Sequence, residues 1–217
     1  MFSNILKEKE VKKFIIIFYI IGTIGFILPI TGDIFKLLIP YALILNFFLL
    51  AYFYRTSKIQ KSIIIFGIIY ISGLVIEIIG VQTKIIFGDY TYGAGLGIKI
   101  FGTPLLIGLN WLFLSFTTTS VVDKFKINTV FKIITASVFM LLYDIILEQI
   151  APKLDMWSWK NDVVPIQNYM VWFGLALIFN SLLKIFKIET KNPLALIIFV
   201  CQTIFFILLF IYFQIFA

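Results

Sequence analysis

Long apolar stretches, separated by short polar connections, follow one another along almost the whole chain. Ile, Leu, Val and Phe fill windows of about 20 residues, the length of helix that crosses a bilayer core roughly 30 Å thick. The pattern predicts seven membrane-spanning helices. They cover Phe14–Ile30, Ile34–Tyr54, Ser62–Val81, Pro104–Val122, Val130–Ile150, Pro165–Phe186 and Pro193–Phe216. We therefore expect an all-α integral membrane protein in which residues 1–217 form a single polytopic domain.

Composition agrees with this class, and the placement of charge predicts an orientation. The chain is 61% hydrophobic and only 13% charged, with a net charge of +7. Most of the 18 Lys and Arg residues lie in the N-terminal tail and in alternate connections. Because positive residues tend to stay in the cytoplasm, we expect a cytoplasmic N-terminus and an outside C-terminus, in a cell membrane such as the bacterial inner membrane. The positive charge then indicates topology and contact with the lipid bilayer, and no nucleic-acid partner.

Histidine is absent from the sequence, and Cys201, the single cysteine, lies in the last apolar stretch. These counts exclude an internal disulfide, His-liganded haem or di-iron centres, and His-based acid–base chemistry. Carboxyl groups, tyrosines and lysines remain for proton transfer.

Three carboxyl groups fall within or at the ends of predicted spans. Glu77 lies about 6 Å inside one end of the third helix, and Asp144 about 9 Å inside the corresponding end of the fifth, at a rise of 1.5 Å per residue. Glu148 follows Asp144 by one turn, on the same face. Ionisable residues inside spans are costly and usually face a cavity, so these three are candidate catalytic residues. The alternatives are, for Glu77 and Asp144, a structural pairing with Lys99 or through a hydrogen bond between helices, and for Glu148 a solvated helix end.

Aromatic and amide side chains are predicted at the same level of the membrane, in the helices, and in the two long connections beside it, residues 82–103 and 151–164. The candidate binding residues are Tyr90, Tyr92, Trp111, Trp157, Trp159, Asn168 and Trp172. For Trp157, Trp159 and Trp172 the alternative is an interfacial aromatic belt. The glycines of "GDYTYGAGLG" favour a tight turn, because a nucleotide-binding loop would need a βαβ context that membrane spans cannot supply. Asn46, Asn180 and Gln202 are expected to hydrogen-bond between helices.

Two segments resemble a known family. "EIIGVQTKIIFGDYTYGAGLGIKIFGTPLLIGLNW", residues 77–111, and "YDIILEQIAPKLDMWSW" with "VPIQNYMVW", residues 143–172, are similar to the carotenoid biosynthesis proteins of the carotenoid 1',2'-hydratase (CruF) type. The shared features are an acidic residue ending a helix, Phe-Gly-x-Tyr-x-Tyr, Gly-x-Pro-Leu, Trp-x-Trp and an Asn before Trp. Departures occur where the family usually has glycine, at Lys84 and Val171, and where it has Asp-Pro, at Glu148 and Gln149.

The resemblance implies an enzyme that adds water to the terminal double bond of an acyclic carotenoid, such as lycopene or γ-carotene, without a metal or other cofactor. This chemistry needs a carboxylic acid to protonate the alkene, aromatic faces beside the tertiary cation and a carboxylate to deprotonate water. It implies that Glu77 or Asp144 is the acid and that the other, or Glu148, handles water. Partners would be the acyclic carotenoid substrate, the bilayer and other enzymes of carotenoid biosynthesis.

Two alternatives remain open from the sequence. A carotenoid cyclase shares the protonation step but ends by losing a proton. A seven-helix pigment-binding or carrier protein would have no chemistry, although the last span lacks the lysine that a retinal Schiff base needs.

Overall fold

Seven long helices form the molecule, in a computed structural model that describes residues 6–216. Their bounds are Glu8–Ile27 (α1), Gly32–Tyr52 (α2), Ile59–Thr83 (α3), Leu105–Val122 (α4), Thr129–Glu148 (α5), Ile166–Ile185 (α6) and Ala195–Phe216 (α7). Each predicted span corresponds to one helix. Six of the seven are long and apolar enough to cross a membrane, which supports a multi-pass membrane protein. The exception is α1, whose first turn is charged, with Glu8 and Glu10 among its residues.

Helix ends differ from the prediction by a few residues because hydropathy does not mark caps. Residue Lys84 ends α3 in the left-handed conformation, with φ of 61°. Left-handed backbone favours glycine, so a lysine is an unusual residue at this helix end. At α5, the Asn128 side chain accepts a hydrogen bond from the Phe131 N–H and caps the helix.

Helix α4 is the centre of the bundle, and nearly all of its side chains from Ile107 onward are buried. It packs against α2, α3, α5, α6 and α7, while α1 packs on α2 and α7. The Ser115, Thr117 and Thr118 hydroxyls bond to carbonyl groups one turn earlier in α4, so their burial leaves no donor unpaired. The surrounding helices expose large apolar side chains, among them Ile17, Leu37 and Ile63, as a bilayer requires.

Amide side chains connect neighbouring helices, as the sequence predicted. Asn46 of α2 donates to the Tyr19 hydroxyl of α1, and Gln202 of α7 donates to the Tyr143 hydroxyl of α5. The Thr119 hydroxyl of α4 donates to Asn180 of α6. Each bond joins two helices at positions where neither partner is exposed to water.

The longer connections contain short strands that the all-α prediction missed. Strand β1 (Tyr90–Tyr92) pairs antiparallel with β4 (Trp157–Trp159), and β2 (Lys99–Ile100) pairs with β3 (Thr103–Pro104). A 3₁₀ turn at Lys160–Asp162 follows β4. The β1–β4 pair, called the ribbon below, closes one end of the bundle; that end is called the ribbon end.

Aspartate Asp123 joins three elements at the opposite end of the bundle. It forms ion pairs with Lys132 of α5 and Lys184 of α6, and it accepts a hydrogen bond from Thr190 in the α6–α7 connection. Partial burial opposes ionisation, but the bonds from Lys184 and Thr190 outweigh it and lower the pKa of Asp123.

Candidate active site

Every residue that the sequence singled out for a site lies in one buried cluster under the ribbon. The three carboxyl groups are 0–4% exposed. Glu77 projects from α3, and Asp144 and Glu148 project from successive turns of α5. Helix α4 contributes Trp111, and α6 contributes Asn168 and Trp172. The solvated-end alternative for Glu148 is therefore wrong.

Glu77 accepts three hydrogen bonds from neutral donors. The Tyr90 and Tyr92 hydroxyls donate to Oε2 at 2.6 and 2.8 Å, and the indole Nε1 of Trp111 donates to Oε1 at 3.0 Å. Both tyrosines point to the same side because residues two apart in a strand share a face. Burial raises the pKa of each tyrosine hydroxyl far above its ordinary range, so both stay neutral and act as donors.

Glu148 is held by a closely similar set of donors. The Trp157 and Trp159 indoles donate to Oε2 at 2.9 and 2.6 Å, and the Asn168 side chain donates to Oε1 at 3.1 Å. As with Glu77, two donors come from alternate residues of one strand and the third comes from a neighbouring helix. The tryptophans are therefore buried hydrogen-bond donors, and the interfacial-belt alternative does not describe them.

Asp144 has far fewer partners than the two glutamates. Its Oδ2 accepts one long bond, 3.3 Å, from the Asn168 amide that also serves Glu148. Its Oδ1 has no hydrogen-bond partner among residues 6–216. A fully buried carboxyl oxygen without a donor is unusual, because such a group is normally paired.

Cations do not compensate these carboxyl groups in the part of the chain that the structure describes. Lys99, considered above as a partner, donates to the Tyr92 carbonyl oxygen at 2.6 Å and leaves Glu77 to neutral donors. The structural pairing with Lys99 is therefore wrong, whereas hydrogen bonds between helices do reach Glu77 from Trp111 and Asp144 from Asn168. Three buried carboxyl groups held only by hydroxyl, indole and amide donors resemble a proton-transfer site more than a structural ion pair.

Glycines in α3 make room for the aromatic donors. Gly73 and Gly80 lie on the Glu77 face, one turn to either side of it. A Cβ atom would lie 2.9 Å from the Trp111 ring at Gly73, and 2.6 Å from the Phe87 ring at Gly80. The missing side chains therefore let Trp111 reach Glu77, and let Phe87 support Tyr90 with their rings 6.1 Å apart.

Backbone and charge contacts fix the ribbon over the site. Tyr90 lies opposite Trp159 and Tyr92 opposite Trp157, which places the four aromatic side chains on the inner face. Backbone bonds from Gly93 to Met156 and from Gly95 to Asp155 extend the pairing. At the other end of the ribbon, Asp89 forms ion pairs with Lys84 and Lys160. The hydrogen bond from Lys84 lowers the pKa of Asp89.

A small cavity lies between the two glutamates. Its volume is about 10 Å³, about the room that one water molecule needs. Its walls are Glu77, Phe87, Tyr90, Tyr92, Ile107, Glu148, Trp157, Trp159, Asn168 and Trp172. The Trp111 ring stacks on Trp172 at 3.9 Å beside it.

Sequence reasoning missed Phe87 and Ile107 of this wall and the two glycines beside Glu77. The spacing of Gly73, Glu77 and Gly80 at i, i+4 and i+7 was a usable signal. It puts two residues without side chains on the helix face of Glu77, one on either side of the carboxyl group, and so leaves space for neighbouring side chains there. Phe87 and Ile107 had no such signal among the many apolar residues of the chain.

The chain matches one family model, that of carotenoid biosynthesis proteins, over residues 38–217. This range runs from α2 through α7 and contains the whole cluster described above. No curated protein and no solved structure matches the chain.

Proposed function

The chain belongs to the carotenoid biosynthesis protein family, and from this premise we propose that it adds water to the terminal double bond of an acyclic carotenoid end group, such as that of lycopene or γ-carotene. The observation that carries the proposal is the unequal pairing of three buried carboxyl groups. Two of them accept three hydrogen bonds each, and Asp144 accepts one long bond.

Unequal hydrogen bonding supports separate roles for the carboxyl groups. Donors aimed at a carboxylate stabilise its ionised form, so Glu77 and Glu148 are the natural carboxylates. Asp144, with an oxygen that meets no donor, is the natural holder of a proton. We therefore assign Asp144 as the general acid, and Glu77 or Glu148 as the group that deprotonates water.

Position in the bundle supports the same division. Asp144 is one turn deeper than Glu148, on the side from which an apolar chain within the bilayer would arrive. The two glutamates line the small cavity next to the ribbon end, which has room for a single water molecule. In this arrangement the alkene meets the acid from one side and water meets the carboxylates from the other.

Proton and electron balance are simple for this reaction. Asp144 gives its proton to the terminal alkene carbon that carries hydrogen, and the neighbouring carbon becomes a tertiary cation. The aromatic faces of Tyr90, Trp157 and Trp159 stabilise that cation. The oxygen of water then bonds to the cation while a glutamate takes a water proton. Return of that proton to Asp144 completes the addition of one water molecule.

The site is closed in this structure, because the small cavity does not hold a branched end group. Binding therefore requires the ribbon or the aromatic side chains to move. A closed site suits carbocation chemistry, since it restricts the number of water molecules that reach the intermediate.

Topology completes the proposal. We place the N-terminus in the cytoplasm and the ribbon end on the opposite side of the membrane, on the distribution of Lys and Arg. Cysteine labelling at the ribbon end and at the opposite end, with a membrane-impermeant reagent, tests this orientation.

Expression in a host that accumulates lycopene tests the function. The expected result is a pigment heavier than lycopene by one or two water molecules, and its absence with Asp144→Asn at equal protein level. An isomer of unchanged mass would identify a cyclase. Unchanged lycopene in cells with abundant, folded protein would reject hydration of this substrate and favour a carrier.

A further inference from the structure

A second cavity, separate from the carboxyl groups, lies among α1, α2 and α7. Its volume is about 330 Å³, within the usual range for small-molecule sites of about 300–1,000 Å³. Its walls are almost entirely apolar and include Phe18, Phe26, Phe35 and Phe205.

The cavity is elongated along the bundle. Phe35 lies near the ribbon end of α2, and Asn46 lies 11 positions further along the same helix. At 1.5 Å per residue these two lining residues are about 17 Å apart along the axis. Leu154 and Met156, three positions and one position before Trp157 of the ribbon, also line it. A narrow apolar chain therefore fits the space, with one end beside the ribbon.

A polar group interrupts the apolar wall at Gln202. This side chain is 4% exposed, and its Nε2 donates to the Tyr143 hydroxyl at 2.6 Å. Its other polar atom, Oε1, has no partner among residues 6–216. Rotating the amide by half a turn exchanges the two atoms but still leaves one of them unpaired.

We propose that this cavity binds an elongated acyclic chain that carries a hydroxyl group, with the hydroxyl hydrogen-bonded to the Gln202 amide. A hydroxyl both donates and accepts, so it pairs with either orientation of the amide. A saturated acyl tail of a bilayer lipid has no hydrogen-bond donor or acceptor, so it would leave one atom of the amide unpaired. The ligand class, an isoprenoid tertiary alcohol, rests on the proposed function, because hydration of an acyclic end group makes such an alcohol.

Competitive binding tests the proposal. Purified full-length protein in phosphatidylcholine nanodiscs is incubated with equal amounts of lycopene and 1-hydroxy-1,2-dihydrolycopene, repurified and extracted, and the pigments are measured by chromatography. All samples carry Asp144→Asn to prevent turnover. The alcohol is expected to be enriched about 10-fold over lycopene, the value of one net hydrogen bond.

Two substitutions on α7 distinguish the site from general effects. Gln202→Leu is expected to remove the enrichment, because the amide is lost while the apolar volume remains. Gln214→Leu, at an exposed position on the same helix, is the matched control and should retain it. Because the readout is a ratio within one sample, a loss of folded protein lowers both pigments and leaves the ratio interpretable.

The proposal is overturned if Gln202→Leu keeps the ratio of the parent Asp144→Asn protein, if lycopene and its alcohol bind equally, or if folded protein retains neither pigment and only phospholipid is recovered. These outcomes are independent of the hydration test, which uses intact Asp144. An active hydratase without the preference would reject the cavity alone, and a preference without hydration would reject the proposed reaction alone.

Discussion

Asp144→Asn separates chemistry from structure more cleanly than any other substitution in the cluster. Asparagine has nearly the same shape, and its carbonyl oxygen still accepts the 3.3 Å bond from Asn168. Since Oδ1 has no partner among the described residues, the substitution breaks no hydrogen bond there. The variant loses only the proton that the proposed acid supplies.

The expected magnitudes differ accordingly for rate and stability. Removal of a general acid slows a reaction by about 10²–10⁴-fold, equivalent to about 3–5 kcal/mol in the barrier. Because Asp144→Asn largely retains the one long hydrogen bond from Asn168, the free energy of unfolding should fall by less than about 1 kcal/mol. Glu148→Gln, in contrast, places an NH₂ group against at least one N–H donor and is expected to cost about 1–3 kcal/mol.

The assay combines initial rates with thermal stability. Rates of water addition to lycopene are measured in membranes adjusted to equal protein content, and the melting temperature is measured on purified protein in detergent. The expected pattern for Asp144→Asn is a severe loss of rate with an almost unchanged melting temperature. A rate within a factor of two of wild type would remove Asp144 as the acid, and a melting temperature as low as that of Glu148→Gln would show a structural role instead.

Three further predictions concern packing, charge and donor groups. Gly73→Ala is expected to push Trp111 away from Glu77, lowering stability by about 1–3 kcal/mol and reducing activity, while Gly67→Ala on the same helix, with no atom within 4 Å of its Cβ, should leave activity unchanged and should not lower stability. The lowered pKa of Asp123 means that its ion pairs stabilise the protein fully above pH 3.8 and progressively less as the pH falls through the lowered value. Asp123→Asn should therefore lower the melting temperature at pH 7 by the equivalent of about 1 kcal/mol. The variant should also lose less stability than the wild type on acidification, so that the two melting temperatures converge at low pH. A difference in melting temperature between variant and wild type that is the same at pH 7 and in acid would contradict the ion-pair explanation. Tyr92→Phe removes one hydrogen bond to Glu77 and should reduce the rate about 10-fold with little change in KM, whereas Thr91→Ala, on the exposed face of the ribbon, should have no effect on either.

Hydropathy predicted the helices well because a bilayer imposes one length and one composition on every span. It also placed Glu77, Asp144 and Glu148 near the same end of the bundle, since the helical rise is constant. The i, i+4 spacing of Asp144 and Glu148 was sufficient to place them on one face.

The ribbon was not predictable in the same way. Strands of three residues, such as Tyr90–Tyr92, are too short for alternation to stand out, and their pairing depends on a partner about 65 positions further along the chain. Sequence reasoning treated the aromatic side chains as faces beside a cation. Their role as donors to Glu77 and Glu148 depends on which way a hydroxyl or an indole N–H points, and only the folded chain determines that.

The source of each glutamate's donors has a consequence for how the protein is made. All three donors to Glu77 come from residues 90–111, and all three donors to Glu148 come from residues 157–168. Each of the two glutamates therefore has its hydrogen-bond donors in its own half of the chain. The ribosome thus delivers the donors of each glutamate soon after the glutamate itself, and the pairing of β1 with β4 then joins the two halves.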